Sequence, residues 1–201
     1  MLPFEPKRRV LLGAAMAAAT LALSGCDDKP KKLAIQGSDI TGTHLGSDLA
    51  MVDASGQVRT LADYKNKIAV IFFGYTHCPD VCPTAMAQLA QAMSLLKKDA
   101  DQVQVIMITV DPQRDTPEVM QRYASAFNPG FIGLSGSPEQ LAKTAKSFRA
   151  YYAKSPGPTP QDYGMDHSSS FYIMDKSGEA RILLPGNAQA SVIAHDIQQL
   201  I

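Results

Sequence analysis

Two stretches of this chain are apolar almost without a break, 68–74 (IAVIFFG) and 103–110 (VQVIMITV). β-branched and aromatic residues dominate both, which is how a strand covered on both faces reads. Between them the apolar positions Met86, Leu89, Ala90, Met93, Leu96 and Ala100 recur at threes and fours, predicting a helix over 83–100 with Pro83 in its first turn. Thr116 before Pro117 is a capping pair that opens a helix over 116–127, followed by a short strand at 131–134 and a helix at 138–148. Alternating segments at 48–53 and 57–60 around the turn residues 53–56 predict a hairpin, and 171–175 with 180–184 across 176–178 predict a second. An amphipathic helix is expected at 190–200. Residues 151–165 carry Pro156, Pro158, Pro160 and two glycines, which breaks both periods and predicts a long loop, a feature that compact domains usually reserve for function. No internal repeat is visible.

Strands that alternate with helices and end in a hairpin and a helix make an α/β domain with a central mixed sheet flanked by helices. The order resembles a thioredoxin-like fold with an added N-terminal hairpin and an inserted loop before the late hairpin. At 201 residues, 45% of them hydrophobic, the chain is long enough for one well-buried domain. Nineteen basic and nineteen acidic residues cancel, and no basic cluster lies beyond the first ten positions, so no nucleic-acid partner is expected.

The first residues read as an address. Lys7, Arg8 and Arg9 precede an apolar stretch from Val10 to Leu23, and Leu23-Ser24-Gly25-Cys26 follows. This is a secretory pattern, too short to span a bilayer comfortably. The tetrapeptide resembles the lipobox of bacterial lipoproteins, which implies lipid on Cys26, and Asp27 resembles the signal that retains such proteins in the inner membrane. The expected division is a signal peptide at 1–25, an anchor and polar tether at 26–47, and a thioredoxin-like domain at 48–201. Losing 1–25 removes three of the nineteen basic residues and one of the nineteen acidic ones, leaving a net charge of −2.

With Cys26 assigned to the anchor, two cysteines remain, Cys78 and Cys82 in GYTHCPDVCP, at a strand-to-helix turn. The carboxyl ends of strands in open α/β sheets are where ligands bind, and the positive end of a helix favours a thiolate, so both thiols are expected to be more acidic than a free cysteine. Four residues apart on a helical turn, the sulfurs share one face, while Pro79 and Pro83 stiffen the loop. Read alone, the pair admits a disulfide, a redox centre or a metal clip. In a thioredoxin-like fold the loop before the strand at 171 faces the cysteine turn. Thioredoxins place a cis-proline there; this chain has no proline closer than Pro160 and offers His167 instead. Two thiolates and an imidazole form a donor set suited to copper in either oxidation state or to zinc.

GYTHCPDVCP, TVDPQRDTP (109–117) and DHSSSFYIMD (166–175) resemble, in order and spacing, the three signature blocks of the Sco/SenC family. The resemblance implies a membrane-anchored copper protein with Cys78, Cys82 and His167 as ligands to Cu(I) or Cu(II). It also implies a metallochaperone that assists assembly of the CuA centre. The implied partners are the cytochrome c oxidase copper subunit or another periplasmic copper acceptor, with a lipid anchor in the inner membrane. The alternative is a thiol-disulfide oxidoreductase in which Cys78 and Cys82 are catalytic and reduce the acceptor's cysteines. Around the site, Asp80 and Asp111 are candidates to support the ligands from outside, and Asp111 or Asp115 could pair with Arg114. Met86 and Met165 read as core filler in preference to ligands, His77 as pointing away from Cys78, and His44 and His195 as surface residues without companions.

Overall fold

A computed structural model describes residues 33–157 and 162–201. The expected signal peptide and Cys26 lie outside them, as does the first part of the expected tether. Ala34–Ile201 forms one unit.

Its centre is a pair of strands, β4 (Ile68–Gly74) and β5 (Val103–Thr109), parallel and in register from Ile68 opposite Val103 to Gly74 opposite Thr109. Every residue of both is buried, as uninterrupted apolar runs demand. Around them the sheet runs β1-β10-β9-β4-β5-β6, with β1 Ser38–Asp39, β6 Ile132–Leu134, β9 Ser170–Met174 and β10 Ala180–Pro185. β6 is parallel to β5, while β9 and β10 are antiparallel to their neighbours, so the sheet is mixed as expected. β2 (Met51–Val52) and β3 (Val58–Arg59) form the N-terminal hairpin.

Among the described residues four α-helices flank the sheet: α1 Val81–Leu96, α2 Pro117–Phe127, α3 Pro138–Phe148 and α4 Ala190–Gln198. Among the described residues none is long and apolar enough to cross a membrane. α2 and α3 begin alike. Thr116 Oγ1 accepts from Val119 N and Ser137 Oγ from Gln140 N, each with proline in the next position, so a free amide is capped where proline lacks one. α2 approaches β6 so closely that a Cβ on Gly133 would stand 2.2 Å from the Met120 carbonyl.

Four features depart from the sequence expectation. First, residues 36–40 of the expected tether belong to the fold. β1 pairs with β10, Ser38 opposite Leu183, and the fully buried Asp196 carboxylate accepts Gln36 N and Gly37 N, both at 2.8 Å. Second, the expected loop at 151–165 contains strand structure, because β7 (Tyr152–Ser155) and β8 (Gly164–His167) pair as a separate two-stranded sheet. Third, the helix expected at 83–100 starts two residues earlier, putting Cys82 in its first turn. It ends at Leu96 where Lys97 turns to φ 54°, and a 3-10 segment, Lys97–Gln102, completes the stretch. Fourth, a short internal repeat exists. D-x-S-G-x-x-R occurs at 53–59 and again at 175–181, and each aspartate caps its own turn while holding its arginine, Asp53 with Arg59 at 2.6 Å and Asp175 with Arg181 at 2.9 Å.

Candidate metal centre

β4 ends at Gly74, and the chain passes through Tyr75, Thr76 and His77 to Cys78 before α1 begins. The turn is fixed from below by a buried carboxylate. Asp115, fully buried, accepts from Thr76 N at 3.1 Å, from Thr76 Oγ1 and from Thr109 Oγ1 at 2.7 Å, tying the turn to the end of β5. Asp115 therefore orders the turn, and the capping of α2 falls to Thr116. Gly74 has a packing reason of its own: a Cβ there would lie 3.0 Å from Cys82 Sγ and 2.8 Å from Met107 Cε.

Cys78, Cys82 and His167 converge, one ligand atom from each lying within 4.8 Å of the others. Among the described residues this is the one cluster of metal-ligating side chains. Cys82 N donates to Cys78 Sγ at 3.4 Å, and Cys82 Sγ stands 3.5 Å from His167 Nε2. The imidazole is oriented from its other side. With Nδ1–H donating to the Ser168 carbonyl at 3.0 Å, the Nε2 lone pair faces the sulfurs. Its ring meets Tyr75 edge-on at 5.9 Å and Phe72 at 6.3 Å. Burial lowers the His167 pKa, opposed by the bond to Ser168, so the imidazole is held in the neutral form a metal requires.

The expectation of two acidified thiols fails at Cys82. The residue is wholly buried, and desolvation pushes its thiol up, outweighing a backbone hydrogen bond from Tyr75; the neighbouring Cys78 adds to the rise. A helix N-terminus favours a thiolate only where water or a cation also reaches the sulfur. Cys78 is half-buried and opens to a cavity of about 370 Å³ lined by Tyr75, Pro79, Asp80, Val81, Asp166 and His167. The two sulfurs thus differ: one is sealed in the core and one is reachable.

The other candidates fall around this centre. Asp80 sits exposed at the rim, where Thr84 Oγ1 contacts it at 3.5 Å, and it makes no bond to either cysteine. Asp111 is buried and ion-paired with Arg114 Nε, as the spacing suggested. His77 turns to Thr76 and Met86 is core. His44 and His195 have companions after all: His44 contacts Glu179 at 3.2 Å and His195 contacts Asp196 at 3.0 Å. Sequence reasoning passed over Tyr75, Thr76 and Tyr163. Their signal was adjacency, since each lies within four residues of a proposed ligand in GYTHC or YGMDH.

Fold and centre together define a thioredoxin-like domain with a two-thiol, one-imidazole cluster at the carboxyl end of its sheet. The sequence model of the SCO1/SenC family matches residues 38–201, and the chain belongs to that family. The mitochondrial SCO2 homologue of Bos taurus is 36% identical over 170 residues, covering 84% of this chain and 64% of its own length. Against its mouse and human counterparts the chain spans 52% and 50% of their length. Among solved structures, Bradyrhizobium japonicum ScoI with copper bound is 38% identical with a TM-score of 0.69, covering 84% of this chain and all of that one. A SCO1/SenC family lipoprotein from Bacillus anthracis is 25% identical with a TM-score of 0.64, covering 86% of this chain and 98% of its own.

Proposed function

We propose that this chain carries copper, Cu(I) or Cu(II), on Cys78, Cys82 and His167. It delivers the ion to the copper subunit of a cytochrome c oxidase or to another periplasmic copper acceptor. The observation that carries the reading is the convergence of two sulfurs and a neutral, correctly oriented imidazole within 4.8 Å. Soft thiolates with one imidazole suit copper, and the ScoI relative is a copper-bound structure. The proposed setting is the outer face of the inner membrane. Residues 1–25 serve as export signal, lipid on Cys26 as anchor, and the chain up to the Asp196 contact as tether. The lipobox-like LSGC supports this, as does the lipoprotein among the similar structures.

Anaerobic titration of the reduced protein with copper tests the reading. About one copper per chain is expected, with a thiolate-to-copper charge-transfer band that requires all three residues. Unchanged affinity in His167→Ala would remove the imidazole from the assignment.

The second reading, reduction of an acceptor disulfide, has a definite form in this geometry. Cys78 is the reachable sulfur and attacks the disulfide, releasing one acceptor thiol. Cys82 then displaces the other, so the acceptor gains two electrons as a Cys78–Cys82 disulfide forms. The burial that pushes the Cys82 thiol up slows that second step, and copper ligation by Cys82 likewise requires that proton to leave. Turnover of a model disulfide by metal-free His167→Ala protein, at the wild-type rate, would reverse the ranking.

A further inference from the structure

His167 is the one proposed ligand that the main sheet does not deliver. It ends β8, whose only strand partner among the described residues is β7, and Tyr152 stands opposite His167. A lone two-stranded hairpin is marginal in water, so something else must hold this one over the thiols. Met165, buried in the core with its backbone N–H donating to the Tyr75 hydroxyl, supplies part of that hold, and the side-chain contacts that complete it come from the segment after β5. Arg114 Nη1 donates to the Tyr163 carbonyl at 3.0 Å, and its guanidinium lies 3.7 Å from the centre of the Tyr163 ring. Tyr163 Oη donates to Asp111 Oδ1 at 2.8 Å, and Asp111 is itself ion-paired with Arg114 Nε. Lys154, on β7, donates to Gln113 at 2.7 Å and covers the same ring at 4.2 Å. Tyr163 is thus held at its carbonyl, its ring and its hydroxyl, one residue before the strand that ends in His167.

We propose that Tyr163, gripped by Asp111 and Arg114, is the positioning residue of the third ligand: it docks the β7–β8 hairpin so that His167 Nε2 faces the two sulfurs. Tyr163 bonds to neither sulfur and acts only through His167. The proposal rests on the three-ligand reading, and it has a part that is independent of metal. Without the grip, the sheet still delivers Cys78 and Cys82, and the centre falls back to a two-thiol site.

Tyr163→Leu removes ring and hydroxyl, whereas Tyr163→Phe keeps the ring under Arg114. Partners that orient a ligand cost about 10–100-fold in metal affinity when removed, so a loss in that range is expected for the leucine variant and a smaller one for phenylalanine. Affinity is read by chelator competition with Cu(I) on the reduced protein. In a His167→Ala background, Tyr163→Leu should cost nothing more, because its effect travels through the imidazole. Metal-free protein gives the second readout. Nuclear Overhauser contacts between the His167 ring and the rings of Tyr75 and Phe72 are expected in the wild type and should vanish in Tyr163→Leu. Persistence of those contacts, or an additive loss on the His167→Ala background, would overturn the proposal. If the wild type itself showed no three-residue copper site, the copper reading would fail while the contacts still judged the grip.

Discussion

Replacing Asp196 with alanine should loosen the start of the domain measurably. The carboxylate is inaccessible to solvent and accepts Gln36 N through Oδ1 and Gly37 N through Oδ2, each at 2.8 Å. These bonds, with two residues of pairing to β10, hold β1 on the sheet edge. A hydrogen bond to a charged group contributes about 1.5–3 kcal/mol. Both amides are only part-buried and regain water when released, so the lower end applies, and the two together give about 3 kcal/mol. For a domain of this size each kcal/mol moves the melting temperature by about 2–4 °C, so a drop of about 6–12 °C is expected if β1 unfolds with the rest. If β1 peels away alone, the melt moves less, and the loss shows as amide exchange at Gln36 and Gly37 faster by about a hundredfold. Calorimetry and hydrogen exchange on the two proteins separate these outcomes. Asp196→Asn, which keeps one acceptor oxygen, should fall between. A melting temperature within 2 °C of wild type, together with unchanged exchange at both amides, would refute the account of β1 as a carboxylate-held strand.

Three further outcomes follow from the packing. Gly186→Ala would set a Cβ 2.0 Å from the Ser169 carbonyl, displacing the backbone two residues beyond His167, so copper affinity should fall in a competition assay alongside a stability loss of about 1–3 kcal/mol. Gly133→Ala should lower stability alone. Its Cβ would collide with the Met120 backbone and force α2 off β6, costing about 1–3 kcal/mol by chemical denaturation while copper stoichiometry stays the same. Tyr64 tests alkaline stability: burial raises its phenol from 10.0 to about 12. The folded state holds the proton longer than the unfolded chain, so stability is full below pH 10 and lost as pH climbs through about 12. Because its hydroxyl is buried without a partner, Tyr64→Phe should cost little at neutral pH and flatten the urea-midpoint decline above pH 10.

What the chain revealed of this structure beforehand follows from where burial alone decides. β4 and β5 are covered on both faces, so their apolar runs match the strands to within a residue, and Thr116-Pro117 marks a helix start by local capping chemistry. β1 escaped notice because two exposed residues held by backbone pairing and a remote carboxylate carry no hydrophobic signal. β7 and β8 escaped for a related reason. The prolines between them and the glycine that opens β8 are loop residues by propensity, and the hairpin is held in part by the grip of Arg114 and Asp111, residues some fifty positions away. At the centre, residue types and spacing brought out Cys78, Cys82 and His167 as candidate ligands, and the structure brings the three together, although the thiol pair alone admitted a disulfide or a redox centre as well. The thiol chemistry was not legible in the same way. Position at a helix N-terminus argued for an acidic Cys82, and the side-chain depth that reverses this exists only once the core has closed.

The repeated D-x-S-G-x-x-R turn has a consequence for distances far from itself. At 175–181 it joins β9 to β10, and its aspartate saturates the local amides before any tertiary contact is needed. Such a turn leaves one alignment of the two strands, and a slip by one residue would send Phe171 and Ile173 to the opposite face. His167 precedes β9 by three residues, so the register of β9 sets where the chain leaves the sheet toward the imidazole, and the β7–β8 hairpin sets how it meets the sulfurs; the turn lies at the end of β9 remote from the cysteines. A single-residue insertion between Lys176 and Gly178 would therefore either be taken up at the irregularity between Ala180 and Ile182 or shift β9 against β4, and the second outcome would reach the imidazole although nothing near the metal-ligating atoms had been altered.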